Sequence, residues 1–198
     1  MANAVETPGT RERLIGAMSR ALQRRGLHGV GLNELLAEAQ APKGVLYHHF
    51  PGGKSELAVA AIRATAARIV ASLDQLIAKR ADPVPMLRGW LAAAQSQLEQ
   101  SRFERGCPLA TVALESTAED GAIREALAEG FAAIRERLAA MLAASGLAPA
   151  KAGPLAALIV AAYEGALMQA RVAGQVQPMG DTAAALIALL QTELHPSR

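Results

Sequence analysis

Residues 41–54, APKGVLYHHFPGGK, hold the side chains best suited to recognition in a chain otherwise rich in alanine, leucine and charge. Two of its six aromatics, Tyr47 and Phe50, and two of its four histidines fall here. Lys43, Tyr47, His48 and His49 would radiate from a turn and a half of helix. Such groups reach phosphates and base edges, and Tyr and His also stack. Gly44 has no side chain, so another backbone can approach closely there. Gly52-Gly53-Lys54 opens a long helix whose first amide N–H groups form an anion site. Lys54 opposes the helix dipole, which a bound phosphate would relieve. Phe50 reads as a core aromatic, and Tyr47 as either core or surface. Adjacent histidines on a helix point about 100° apart, no third ligand is evident, and no Cys/His cluster has zinc spacing. No metal is expected. His49 stays open between a base contact, a phosphate contact and packing.

A second group of residues lies in the remainder. Trp90, Phe103, Phe131 and Tyr163 are its only aromatics. With Leu114, Cys107 and Met168 they are the expected lining of an apolar pocket for a small hydrophobic or aromatic effector. Met86 and Met141 add adaptable surface. Glu115 and Glu164 lie near apolar runs, where each is either exposed or paired, or orients a polar or cationic group. Cys107 is either an inert buried thiol or, beside Arg105, a redox sensor. No nucleophile elbow, phosphate loop, zinc-protease motif or dinucleotide fingerprint is present, so neither an enzyme nor a cofactor is expected.

The elements that position these residues read as all-α, about nine helices, with no sustained period-2 alternation. A helix capped by Thr10 runs to about Arg25, burying Leu14, Ile15, Met18, Ala21 and Leu22. Short helices follow at about 32–39 and 43–49, with Pro42 in the first position of the second. A long helix spans about 55–80, then others at about 85–101, 108–115 and, after a capping box Thr117-x-x-Asp120, to Ala144. The last two are placed at about 153–173 and 182–193, the final one capped by Asp181. Their small and apolar faces suit a homodimer interface. The compositional change at Gly53/Lys54 divides a domain of residues 1–53 from one of 54–198. The longest stretch without charge has thirteen residues, 138–150, too short for a membrane span. The first residues lack a secretory signal, and a single cysteine suits a reducing compartment. A cytoplasmic protein with no membrane partner is expected. The net charge of +2 arises within residues 1–56, which hold seven Lys/Arg and five Asp/Glu.

Two short helices joined by a tight turn and braced by a third form a helix-turn-helix. The segment LNELLAEAQAPKGVLYHHFPGGKSEL resembles the DNA-binding part of TetR/AcrR-type transcriptional repressors over roughly residues 10–57. FPGGK and GCPLATVALE are similar to the branch containing LmrA- and YxaF-type regulators. The resemblance implies a three-helix DNA-binding head, a helical regulatory body and a homodimer. It makes Lys43, Tyr47, His48 and Lys54 DNA contacts, mostly to phosphate. Gly31 replaces the usual Thr at the start of the second helix, a role Asn33 would take over. Gln40 and Pro42 replace the usual Gly and Ser of the turn. The reading that follows is a ligand-responsive repressor that binds a palindromic double-stranded operator as a dimer and is released by its effector. The alternatives are a DNA-binding regulator without an effector, thiol sensing at Cys107, and a small helical enzyme or lipid carrier.

Overall fold

The computed structural model describes residues 9–79 and 82–195. Among them are nine helices and no strand: α1 (Thr10–Arg25), α2 (Leu32–Glu38), α3 (Lys43–His49), α4 (Gly53–Lys79), α5 (Pro83–Gln100), α6 (Pro108–Glu115), α7 (Gly121–Ala144), α8 (Pro149–Ala173) and α9 (Gln177–Leu194). The expected end of the fourth helix at Arg80 lies outside the described residues.

The head is α1 to α3. Leu14, Ala17, Met18 and Leu22 of α1 are fully buried, as is Leu46 of α3, with Leu35, Leu36 and Phe50 beside them. Ile15 and Ala21, expected inward, are only partly buried. Three starts differ from expectation. Gly9, not Thr10, is the N-cap of α1, and the Thr10 hydroxyl accepts from Arg13 Nη2 at 3.1 Å. Pro42 is the N-cap of α3, extended at φ −65 and ψ 151, because its carbonyl accepts the first helical bonds, from Val45 and Leu46. The N-terminus of α2 carries no side-chain cap, so Asn33, exposed within the first turn, does not replace the missing threonine as a cap. The turn between α2 and α3 is closed by Gln40 N–H to Ala37 O and Ala41 N–H to Leu36 O. Arg13 Nε braces it by donating to Ala39 O at 3.1 Å.

The long α4 joins head to body. It has 27 residues, roughly 40 Å at 1.5 Å per residue. Its first half packs on α1, where Ser19 and Thr65 form a buried polar pair satisfied by Ala61 O. Its second half packs on α7. Gly130 permits that approach: a Cβ there would stand 3.0 Å from Ala66 Cβ and 3.1 Å from Leu109 Cδ2. Arg63–Glu129 and Arg137–Asp74 ion pairs flank the same seam.

Later boundaries also shift. Asp120 precedes α7 but sends its carboxylate backward, to the Thr117 N–H and hydroxyl, closing a turn instead of a capping box. Pro149 at N1 starts α8 four residues earlier than expected, with Pro154 inside the helix. Pro178 likewise sits in the first turn of α9, which begins at Gln177. Asp181 is therefore within α9, accepting from Gln177 Nε2 at 2.7 Å. Proline's fixed φ suits a first helical turn, so these prolines begin helices ahead of the expected starts. Helix α8 is long and apolar enough by length and composition to cross a membrane, and here it packs between α7 and α9.

Gln40 holds φ at +50, a left-handed conformation costing a side-chain-bearing residue roughly 1–2 kcal/mol. Glycine relieves that strain but gains entropy in the unfolded chain. Gln40→Gly is expected to raise stability by up to about 1 kcal/mol in denaturant unfolding; a lower stability would refute the strain.

Candidate nucleic-acid interface and effector cavity

The side chains of α3 separate cleanly. Leu46 and the following Phe50 are buried, while Lys43, Gly44 and His48 are exposed and Tyr47 is 45% exposed. Tyr47 is thus a surface residue. Its ring is held from below by the start of α4, since a Cβ on Gly53 would come within 3.2 Å of Tyr47 Cε1. Gly53 also needs its φ of +67, so two constraints require glycine there. Nothing lies within 4 Å of a Cβ built on Gly44; its missing side chain serves no contact inside the chain. His49 is partly buried, its ring between those of His48 (5.1 Å) and Phe50 (6.5 Å). Arg11 covers Phe50, 5.4 Å from the ring centre.

The start of α4 differs from the open anion site expected. The Gly52 N–H donates to Glu56 Oε2 at 2.7 Å, and the Gly53 N–H donates to Phe50 O at 2.8 Å. A carboxylate of the same helix already occupies the Gly52 amide, near the end where the dipole favours negative charge, and a backbone carbonyl occupies that of Gly53. Lys54 is partly buried. Desolvation lowers its pKa, and the charge of Glu115 opposes that shift.

Glu115, the last residue of α6, belongs to the joint between head and body. Its Oε2 accepts from the Leu27 N–H and from His28 N–H at 3.3 Å, and its carboxyl lies where a Cβ on Gly26 (φ +69) would stand. Gly106 N–H donates to Gln23 O at 3.1 Å, and Arg171 Nη2 of α8 donates to Arg24 O at 3.0 Å. The end of α1 leaves carbonyls without helical partners, and body residues satisfy two of them.

Beside this joint lies a cavity of about 1210 Å³. Phe103, Cys107, Leu114, Phe131 and Met168 line it as expected. Trp90 and Tyr163 do not. They stack on each other, ring centres 4.4 Å apart and planes 14° apart, because flat apolar faces satisfy one another more fully than a half-empty cavity does. Met86 and Met141 are likewise core. Arg24 and Arg25 reach the cavity from the head, and Glu104, Glu115, Glu164 and Arg171 from the body. The arginines of α1 carried no local signal for this role, being about eighty residues away in the chain. Phe103 is presented by a bend in which Arg102 (φ +53) and Phe103 (φ +62) are both left-handed, a strained geometry of the kind found at ligand sites. Leu114 is 81% and Val172 85% exposed at the rim.

Two titratable groups face each other inside. Burial pushes the Cys107 thiol well up, and the Glu164 carboxylate adds to it; a thiol so held forms little thiolate, which disfavours redox sensing. Burial raises Glu164 to about 7, with the neighbouring thiol pulling slightly the other way. Glu164 Oε2 is buried and has no hydrogen-bond partner among the described residues.

A short exposed helix on a three-helix head, carried by a long helix into an all-α body with a cavity at the joint, defines a helix-turn-helix transcriptional regulator. Residues 14–61 match the model of the tetR family of bacterial regulatory proteins, and residues 83–185 match that of the LmrA/YxaF-like transcriptional regulator C-terminal domain. The chain belongs to the TetR family, in its LmrA/YxaF-like branch. It is 31% identical to the HTH-type regulator YxaF of Bacillus subtilis over 80% of this chain and 83% of that one. With LmrA of the same organism it shares 28% over 86% and 90%, and with Rv0196 of Mycobacterium tuberculosis 30% over 94% and 96%. The fold matches a TetR regulator of Legionella pneumophila (TM-score 0.83, 20% identity, covering 93% of this chain and 99% of that one). It also matches one of Rhodobacter sphaeroides (TM-score 0.80, 24%, covering 90% and 97%).

Two expectations follow. Glu115→Ala leaves the buried Leu27 N–H without its acceptor, and should lower stability by about 1–3 kcal/mol in denaturant unfolding; an unchanged midpoint would remove Glu115 from the joint. Glu164 is raised on folding from 4.5 to about 7, so the protonated form is favoured in the native state. Its contribution is full below about pH 4.5 and lost as pH rises through about 7. Glu164→Gln should match the wild type at pH 4 and exceed it at pH 8 by on the order of 2–3 kcal/mol, read from unfolding curves at the two pH values.

Proposed function

We propose that the chain is a dimeric repressor whose two α3 helices enter successive major-groove faces of a palindromic operator. The observation that carries this is the outward face of α3: Lys43, Tyr47 and His48 are exposed around Gly44, whose absent side chain meets nothing within the chain. A phosphate backbone or base edge is the partner that such a face fits. His49 and Lys54 border the same surface, and Asn33 supplies a polar group from α2. In this reading residues 1–53 are the DNA-binding unit and 54–198 the regulatory and dimerising unit.

Dimerisation uses α8 and α9. Well under half of the apolar stretch of α8 is buried within one chain, and Leu158, Met168 and Leu189 are exposed. A second copy covers such surface by twofold pairing. The cavity takes a small apolar effector. Because its walls include α6 and α8, which also hold the end of α1, ligand and DNA affinities are coupled, each weakening the other by the same factor. The protein works in the cytoplasm, where its DNA is.

Selection of bound DNA from a random pool tests the whole reading, with a palindrome expected and a recovered set without twofold symmetry overturning the dimeric grip. On the selected site, Tyr47→Ala should weaken binding by roughly 1–3 kcal/mol. Lys43→Ala should weaken all sequences alike and reduce the salt-dependence slope by about 1. Wild-type affinity in both variants would displace α3 from the groove.

A further inference from the structure

We propose that the cavity's occupant is an amphiphilic organic cation, an apolar body carrying one protonated nitrogen that seats on the Glu164 carboxyl. This rests on the reading of the cavity as an effector site and names the ligand class. Glu164 lines the cavity from the middle of α8, and its Oε2 is enclosed with no hydrogen-bond partner. Buried polar atoms are nearly always satisfied, and one that is not calls for a partner.

Among the described residues none serves Oε2. The facing residue is Cys107, the N-cap of α6, whose thiol donates only a weak hydrogen bond to the carboxyl. Tyr163, the neighbour on α8, turns its ring onto Trp90. The cavity's cations are directed elsewhere: Arg171 to the Arg24 carbonyl, and Arg25 to Glu34 on the head. Arg24 lines the cavity from α1, and no arginine contributes to the shift of Glu164, whose main cause is burial. The other two carboxylates of the lining are Glu104 and Glu115, and Glu115 is already spent on the Leu27 and His28 amides. A neutral hydroxyl would give Oε2 one hydrogen bond and leave a buried negative charge uncompensated. An ammonium group supplies both, in surroundings where charge pairing is stronger than in water. Phe103 and Phe131 offer aromatic faces for the body or for the cation itself.

Three probes of one shape test this against the full chain by calorimetric titration: 1-naphthylmethylammonium, 1-naphthylmethanol and 1-ethylnaphthalene. At pH 8 the ammonium probe is expected to bind at least tenfold more tightly than the other two. At pH 6 it should bind about tenfold more weakly than at pH 8, because Glu164, at about 7, takes up a proton. Glu164→Gln should erase its advantage while leaving the ethylnaphthalene affinity within about threefold, which separates loss of the charge from loss of the cavity. The inference is overturned if the alcohol binds as well as the ammonium, or if the advantage survives in Glu164→Gln. Equal binding by all three removes the cation and keeps the cavity as an effector site, whereas binding by none removes both.

Discussion

The C-terminal end of α1 must find hydrogen-bond partners, and it finds them in another domain. A helix leaves its last carbonyls unsatisfied, and burying them without partners is costly. Here Gly106 and Arg171 donate to the Gln23 and Arg24 carbonyls, while Glu115 accepts from the Leu27 and His28 amides just beyond. The head is therefore held by polar groups of α6 and α8 as well as by the apolar contact of α1 with α4. Polar bonds are directional, so they fix an orientation that hydrophobic burial, being non-directional, leaves loose.

The cavity is a consequence of this joint. Its walls are α6, α8 and the end of α1, with Phe103 and Phe131 behind. An occupant stands against the residues that fasten the head, and α4 carries the start of the head–body contact down to α7. Small residues along that path, Ala66 and Gly130 among them, set the two helices in close contact. In the proposed mechanism this is how a molecule in the cavity reaches α3.

Much of the fold was legible in local chemistry. Residues 43–49 were read as a helix and form one, because Pro42 and the Pro51-Gly52-Gly53 turn punctuate it on both sides. Phe50 reads as a core aromatic and is buried, with Leu46 beside it. Helix starts were less legible, since proline breaks one helix and begins the next, and at Pro149 and Pro178 the second role wins. Of the expected cavity residues, Trp90 and Tyr163 were lost to each other. Periodicity puts both on inward faces but does not say whether an inward face meets space or another ring.

The sequence by itself determined the helical class, the boundaries of α3 and the buried place of Phe50, since each follows from side-chain period and from glycine and proline within a few positions. Only the tertiary structure decided that the amides of Gly52 and Gly53 are taken, that Glu115 and Arg171 fasten the head, and that Glu164 Oε2 is buried with no hydrogen-bond partner among the described residues. Whether a polar atom is satisfied depends on groups that are distant in the chain and near in space. That pairing has no local signature, because it is made by packing.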